Sequence, residues 1–282
     1  MKNALFIGRS VLDVFSLVED FPKPDGKTKA LANDLIPGGS SLNAAVTFSH
    51  LGGDAALATS LGAQGLTRSF VMEDLNTHGV TVFDICGDPE YTIPISTVIS
   101  TKTLGARMIV NGSQDDCHLI DNNQKVFDKD FDLLQIDQYE RHFIEQNYEN
   151  IRSFDGTIVL DGGSWKDWST DFLRLADIPI VSEVFLKDGP GDFAEMCHEI
   201  GLPRWAVTRG INGVIWQDGT ASGEIPAVGV DTIDTLGAGD VFHGAFCYYY
   251  ANTGNFVQSL ESANQIAANS CKSAGTRSWM SA

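Results

Sequence analysis

The stretch that most limits what this chain can fold into is Asp234-Thr235-Leu236-Gly237-Ala238-Gly239-Asp240, which runs into Val241-Phe242-His243-Gly244-Ala245-Phe246. Before it, Ile225 to Ile233 reads as a strand region containing a Pro and a Gly. After it, Val241, Ala245, Tyr248 and Tyr249 recur at helical spacing. A turn of small residues therefore opens a helix. Such a turn lets an anion approach the backbone, where unpaired N–H groups and the helix dipole favour negative charge. Asp240 sits at the same helix start. A carboxylate beside a phosphate cradle repels phosphate, so it needs a role there. One role is to take a proton from an attacking hydroxyl. Capping the helix is the plain alternative, and the spacing alone leaves the two even.

Bulk properties narrow the partners. With 282 residues the chain is long enough for one large α/β domain with a small appendage. A formal net charge of −18 argues against nucleic acid and anionic membrane surfaces. Local helix N-termini still bind phosphate on an acidic protein, and a nucleotide bound there needs Mg2+ beside it. Cys86, Cys117, Cys197, Cys247 and Cys271 are scattered, with no C-x-x-C pair. They read as reduced thiols of a cytoplasmic protein, without zinc. The apolar run at Leu5-Phe6-Ile7 is too short for a signal peptide, and no stretch reaches the length of a membrane span.

The stretch at 234–240 resembles the C-terminal signature of the ribokinase/PfkB carbohydrate kinase family, Asp-Thr-x-Gly-Ala-Gly-Asp. Asp234, Thr235, Gly237, Ala238, Gly239 and Asp240 carry the match. The resemblance implies a ribokinase-like three-layer αβα sandwich with a mainly parallel sheet and a small β-sheet lid. It implies a single domain over 1–282, with a discontinuous lid from about 14–37 and 91–112. It also implies an ATP-dependent sugar kinase. In such a kinase the amides of Gly237, Ala238 and Gly239 form the anion hole for the moving phosphoryl group, and Asp240 is the base. A K+ site near Asp234 goes with the same resemblance.

Further landmarks follow in order. Asp13 lies just past the first strand, Leu5-Phe6-Ile7. Alone it reads as a turn or capping residue; the resemblance makes it the ligand of two sugar hydroxyls, which suits a carboxylate with two acceptor oxygens. Gly38-Gly39 resembles the family's N-terminal Gly-Gly signature, and Asn43, in the helix to about His50, matches its sugar-binding Asn. Ser40 stands where ribokinases proper carry Lys, which lowers ribose as first choice. Phe15 to Ile36 and Tyr91 to Val110 read as hairpins that supply the lid. Arg107 in the second is read as a solvated strand residue, or more sharply as a contact to an acidic group on the substrate. Asn111 ends that strand, where the family's lid meets the sugar.

Asp115 to Phe131 is acidic and turn-rich. Leu133 to Ile136, Thr157 to Leu160 and Ile178 to Val181 read as parallel strands, with a helix from about Arg141 to Ile151. The family's Asn-x-x-Glu falls on Ser182-Glu183-Val184-Phe185. Asn and Glu are both replaced, which leaves Glu183 as the one acidic group for water-bound Mg2+. Thr208, Gly210 and Gly213 match the family's Thr-x-Gly-x-x-Gly loop over the nucleotide, with Arg209 placed for its phosphates; unaided, a glycine turn in a hairpin is the better reading. On the Ala-rich helix Gln258 to Cys271, Asn264 aligns with the adenine-side residue and Ala268 leaves room for the base. The chain stops where relatives usually add one short helix. His243 is undecided between packing and a substrate-side role.

Two other functions share much of this pattern. One is a nucleoside kinase on the same fold. The other is a weakly catalytic sugar- or nucleotide-binding protein, against which the intact Asp240 and glycines argue. A homodimer through the lid sheet is a further expectation, because exposed sheet faces and edges tend to be covered.

Overall fold

The structure is a computed structural model that describes residues 1–112, 117–121, 123–189 and 191–281. Strand β1 (Asn3–Ile7) shows how its core arises. Ala4 and Phe6 join one apolar cluster, and Leu5 and Ile7 another on the opposite face, as the two-residue strand period requires. A strand buried on both faces belongs inside a parallel sheet. Accordingly, β1 pairs in parallel with β4 (Asp54–Thr59) on one side and β8 (Leu133–Ile136) on the other. The nine-stranded sheet continues past β4 to β5 (Thr81–Asp84). Past β8 it continues through β9 (Thr157–Gly162), β10 (Ile178–Ser182) and β11 (Arg204–Thr208), then β12 (Val214–Asp218) and β13 (Ala221–Ile225). The last two are antiparallel; every other pairing is parallel.

Helices cover both faces. Helices α1 (Ser40–His50), α2 (Leu66–Thr77), α8 (Ala238–Thr253) and α9 (Phe256–Ser270) pack on one face, through residues such as Phe48, Leu75, Phe246 and Leu260. The other face takes the short helices α3 (Arg141–Gln146), α4 (Tyr148–Arg152), α5 (Ser169–Leu173), α6 (Glu183–Asp188) and α7 (Phe193–Glu199). Gly244 lets α8 meet α1 closely: a Cβ there would stand 2.3 Å from the Ala44 carbonyl oxygen.

A separate four-stranded sheet forms the lid. Its order is β3 (Ala32–Gly38), β2 (Val11–Val18), β6 (Ile95–Thr101), β7 (Arg107–Val110). Two hairpins, β2–β3 and β6–β7, join through parallel pairing of β2 with β6. The inner face buries Phe15, Leu17, Ile36 and Val98 against Leu236 and Ala274. The lid thus rests on the chain just before the glycine turn and on the segment after α9.

Three local expectations change. The strand region read over Ile225 to Ile233 stops at Ile225. Its partner β12 begins at Val214, opposite Ile225, so the ladder has nothing to pair with beyond that point, and Pro226 brings no N–H. The helix read over Arg141 to Ile151 is broken at Asn147, whose buried side chain donates to Asn123 Oδ1 (2.9 Å) and to the Phe143 carbonyl (3.0 Å). Asp13 is not a turn or cap residue; it lies within β2. The acidic stretch read over Asp115 to Phe131 begins outside the described residues.

Candidate active site

The sequence readings converge at the carboxyl ends of the parallel strands, where open α/β sheets bind ligands. Gly237 caps α8 with φ +70°, the left-handed region that favours glycine, and a Cβ on it would stand 2.6 Å from Thr276. Gly239 differs. It is not a positive-φ glycine, and a Cβ built on it meets no heavy atom within 4 Å. Its missing side chain therefore leaves open space over the first turn of a 16-residue helix. A cradle of this kind fits a phosphoryl group of ATP.

Asp240 lies in that first turn, half-buried. Its Oδ2 accepts a 2.7 Å hydrogen bond from Asn43 Nδ2, which ties the first turn of α8 to that of α1. Desolvation raises the Asp240 carboxyl above the usual carboxylate range, while Asn43, His243, Arg107 and Ser40 pull it back. The pair is built on glycines: Gly39 opens α1 with φ +113°, and a Cβ there would lie 2.0 Å from the Arg9 carbonyl oxygen.

Asp13 faces this group from the lid. It is 9% exposed, and its side chain makes no hydrogen bond among the described residues. Burial first, then the Asp240 charge, pushes its carboxyl up to about 7, with Arg277 opposing. Gly38 leaves room for it, since a Cβ there would meet Asp13 Oδ2 at 2.4 Å. Its folded value lies above its ordinary 3.8, so the folded protein holds a proton that the unfolded chain releases. The stability this group contributes is full below about 3.8 and is lost as pH rises to about 7. Asp13→Asn is therefore expected to melt at a higher temperature than the parent protein at pH 8, by up to about 4 kcal/mol in stability, with the difference gone near pH 4. Melting curves at the two pH values check this; an Asn variant less stable at pH 8 contradicts it.

The remaining candidates sit around this centre. Asn111 follows β7 and is exposed. Arg107 reaches from β7 to the Thr235 carbonyl (3.1 Å) and hydroxyl (3.4 Å), so it joins the lid to the loop before the glycine turn. Asp234, 3% exposed, accepts from Leu236 N (3.1 Å) and Gly275 N (2.9 Å), which fastens that loop to the segment after α9. Thr208 ends β11, with Gly210 (φ +54°) and Gly213 (φ +75°) in the following turn. Arg209 is occupied there by Glu224 and by the Asn212 carbonyl (2.7 Å). Asn264 donates to the Pro226 carbonyl (2.9 Å), and Ala268 is half-buried on the same helix. Ser182 caps α6, and Glu183 stands exposed in its first turn. Among the described residues no cluster of His, Cys, Asp and Glu is arranged to hold a metal.

Three groups, Asp137, Asp161 and Arg277, escaped the sequence reading as site residues; His243, undecided there, stands beside them. Asp137 and Asp161 follow or end neighbouring strands β8 and β9, are buried, and are pushed up by burial to about 7 and about 6. Both are legible in principle as Asp closing an apolar run. His243 is buried behind the glycine turn. Its Nδ1 lies 2.8 Å from the Gly239 carbonyl and 3.5 Å from Asp161 Oδ2, and its Nε2 lies 3.1 Å from the Ile180 carbonyl. Arg277 donates to Asn43 Oδ1 at 2.8 Å and pairs with Asp74.

The chain is similar to known proteins along its whole length. Residues 1–282 match the model of the pfkB family carbohydrate kinases. The chain is 23% identical over 300 residues to a deoxyribokinase of Salmonella typhi, a match that covers 96% of this chain and 93% of that protein. It is 26% identical over 251 residues to a fructosamine kinase of Bacillus subtilis, covering 83% and 84%. Among solved structures it superposes on the Arabidopsis thaliana ribokinase complexed with ribose and ATP, with a TM-score of 0.76 at 17% identity, covering 97% of this chain and 93% of that one. That superposition makes the fold ribokinase-like. With a family match along its whole length, this chain belongs to the pfkB family of carbohydrate kinases.

Proposed function

We propose that this protein transfers the γ-phosphoryl group of ATP to a hydroxyl group of a sugar. The observation that carries the proposal is the meeting of Asp240, held by Asn43, with the open glycine turn at the start of α8. The sugar lies between lid and sheet, with its hydroxyls on Asp13, the Gly38–Gly39 backbone and Asn111. Asp240 takes the proton of the attacking hydroxyl. The hydroxyl oxygen bonds to the γ-phosphorus as the bond to the β–γ bridging oxygen breaks, and ADP leaves. The amides of Gly237, Ala238 and Gly239 face the charge on the moving group. Most of the rate then comes from positioning and fixed dipoles. Mg2+ neutralises charge on the nucleotide phosphates when bound, with Glu183 as the nearby acidic residue. K+ near Asp234 would support the loop before the turn. The Thr208–Gly213 turn, Arg209, Asn264 and Ala268 form the nucleotide side.

The relatives named above act on deoxyribose, ribose and fructosamines by name, which sets the first panel: aldopentoses, deoxypentoses, ketohexoses, fructosamines and nucleosides. ADP release with Mg2+ and K+ is expected to depend on one class of these. ADP release indifferent to every acceptor would count against the proposal.

The outer face of the lid supports a homodimer. Val14, Leu35, Thr97 and Val110 stand in one cross-strand row, and Ile95 and Met108 flank it; all of these but Thr97 are large apolar residues exposed in the single chain. Covering such a face removes apolar area from water. Sedimentation equilibrium is expected to give twice the chain mass for the parent protein and the chain mass for Val110→Glu. Identical masses for the two would remove the lid face from the interface.

A further inference from the structure

Arg277 lies in the segment after α9, and the roles assigned above do not use it. Its guanidinium is fully spoken for. Nε contacts both Asp74 oxygens at 3.2 Å, and Nη2 donates to Asp74 Oδ2 (2.9 Å) and to the Pro37 carbonyl (3.2 Å). Nη1 donates to Thr276 Oγ1 (2.9 Å) and to Asn43 Oδ1 (2.8 Å). Asp74 comes from α2, Pro37 from the lid and Asn43 from α1, so one side chain joins three elements around the site.

The contact with Asn43 has a chemical consequence. The two ends of a carboxamide are alike in size and opposite in hydrogen-bonding sense. Arg277 only donates, so it accepts only the oxygen of Asn43 as neighbour. An ionised Asp240 only accepts, so it takes only the amide nitrogen. Placed at opposite ends, the two leave Asn43 one orientation, with Nδ2 on Asp240 Oδ2 at 2.7 Å. That bond fixes the carboxylate plane and leaves Oδ1 for the acceptor hydroxyl.

We propose that Arg277, clamped by Asp74, is a positioning residue that orients Asn43 and through it the base Asp240. The inference rests on the assignment of Asp240 as base. Without the guanidinium, Asn43 Oδ1 loses its donor and the amide is free to turn. A misplaced base of this kind costs about 100-fold in rate. The groups around Asp240 besides Asn43 are Ser40 from α1, Asp13 from β2, Asp161 from β9, His243 on α8, Arg107 from β7 and Tyr139 after β8. Losing Arg277 raises Asp13 further, since the guanidinium holds that carboxyl down, and frees the Asn43 bond. That bond holds the Asp240 carboxyl down, so its loss moves the acid limb of the kcat–pH profile to higher pH.

The test uses the whole enzyme. Arg277 lines a cavity of about 500 Å³ with Phe70, Glu73, Asp74 and Thr276, and truncation opens a guanidinium-sized space onto it. Arg277→Ala is expected to lose about 100-fold in kcat, with KM for ATP unchanged. Millimolar guanidinium should restore at least about a tenfold part of that loss, while urea, its uncharged isostere, restores none. If the Ala variant does not fold, Arg277→Lys serves: it keeps the charge beside Asp74 and loses the planar fork, with about a tenfold fall in kcat and the same upward move of the acid limb. Parent-like kcat and an unmoved acid limb in the soluble variant overturn the inference, as does a loss that guanidinium leaves untouched. Asp240→Asn on the same substrate tests the underlying assignment separately, since an active Asn variant removes the base whatever Arg277 does.

Discussion

Replacing Asp240 by Asn is expected to lower kcat by about three orders of magnitude while ATP still binds. The carboxylate and the carboxamide have nearly the same shape, and Asn43 remains beside it, so packing changes little. What disappears is the group that accepts the proton. Burial raises this carboxyl, and the surrounding donors and cations oppose that rise. Titration calorimetry with ATP and steady-state kinetics on the variant check both halves. A variant with parent-like kcat removes Asp240 from the chemistry.

Gly239→Val is expected to fold normally and to lose about 100-fold or more in kcat/KM. The two glycines of the turn differ in what they do. Gly237 needs its positive φ and would strike Thr276, so a side chain there disturbs the fold itself. Gly239 has neither constraint, and a Cβ on it points into open space. A valine at 239 costs the protein little and fills the position required by the incoming phosphoryl group. Thermal melting unchanged beside a collapse in turnover is the predicted pair of results. Normal turnover with Val at 239 would show that the phosphoryl group does not approach this amide.

The parts of the site that were legible in the sequence are local in the chain. The turn at 237–239, Asp240 and the helix beyond it occupy one short stretch, so spacing shows a turn of small residues opening a helix, and the resemblance supplies the role expected of Asp240. The sheet was legible because β1 and its neighbours are short, mostly apolar runs. Asp13 was legible only through the resemblance, because its neighbour in the lid is β6, brought in from far along the chain by parallel pairing. Arg277 and Asp74 were not legible. Arg277 meets Asn43 across 234 positions and Asp74 across 203. No periodicity encodes such a contact, and an Arg near a chain end reads as solvated. The break at Asn147 has the same origin, since its partner Asn123 is remote from the helix pattern itself. The end of the last strand at Ile225 depended on where β12 begins, which is again a property of the partner.

The most direct test follows phosphorus. ATP, Mg2+ and K+ are incubated with the parent enzyme and one acceptor from the panel, and 31P NMR records where the γ-phosphorus goes. The account predicts a sugar phosphate ester that grows in step with ADP, and none with Asp240→Asn. Inorganic phosphate in place of an ester for every acceptor, or an ester formed equally fast by the Asn variant, would contradict it.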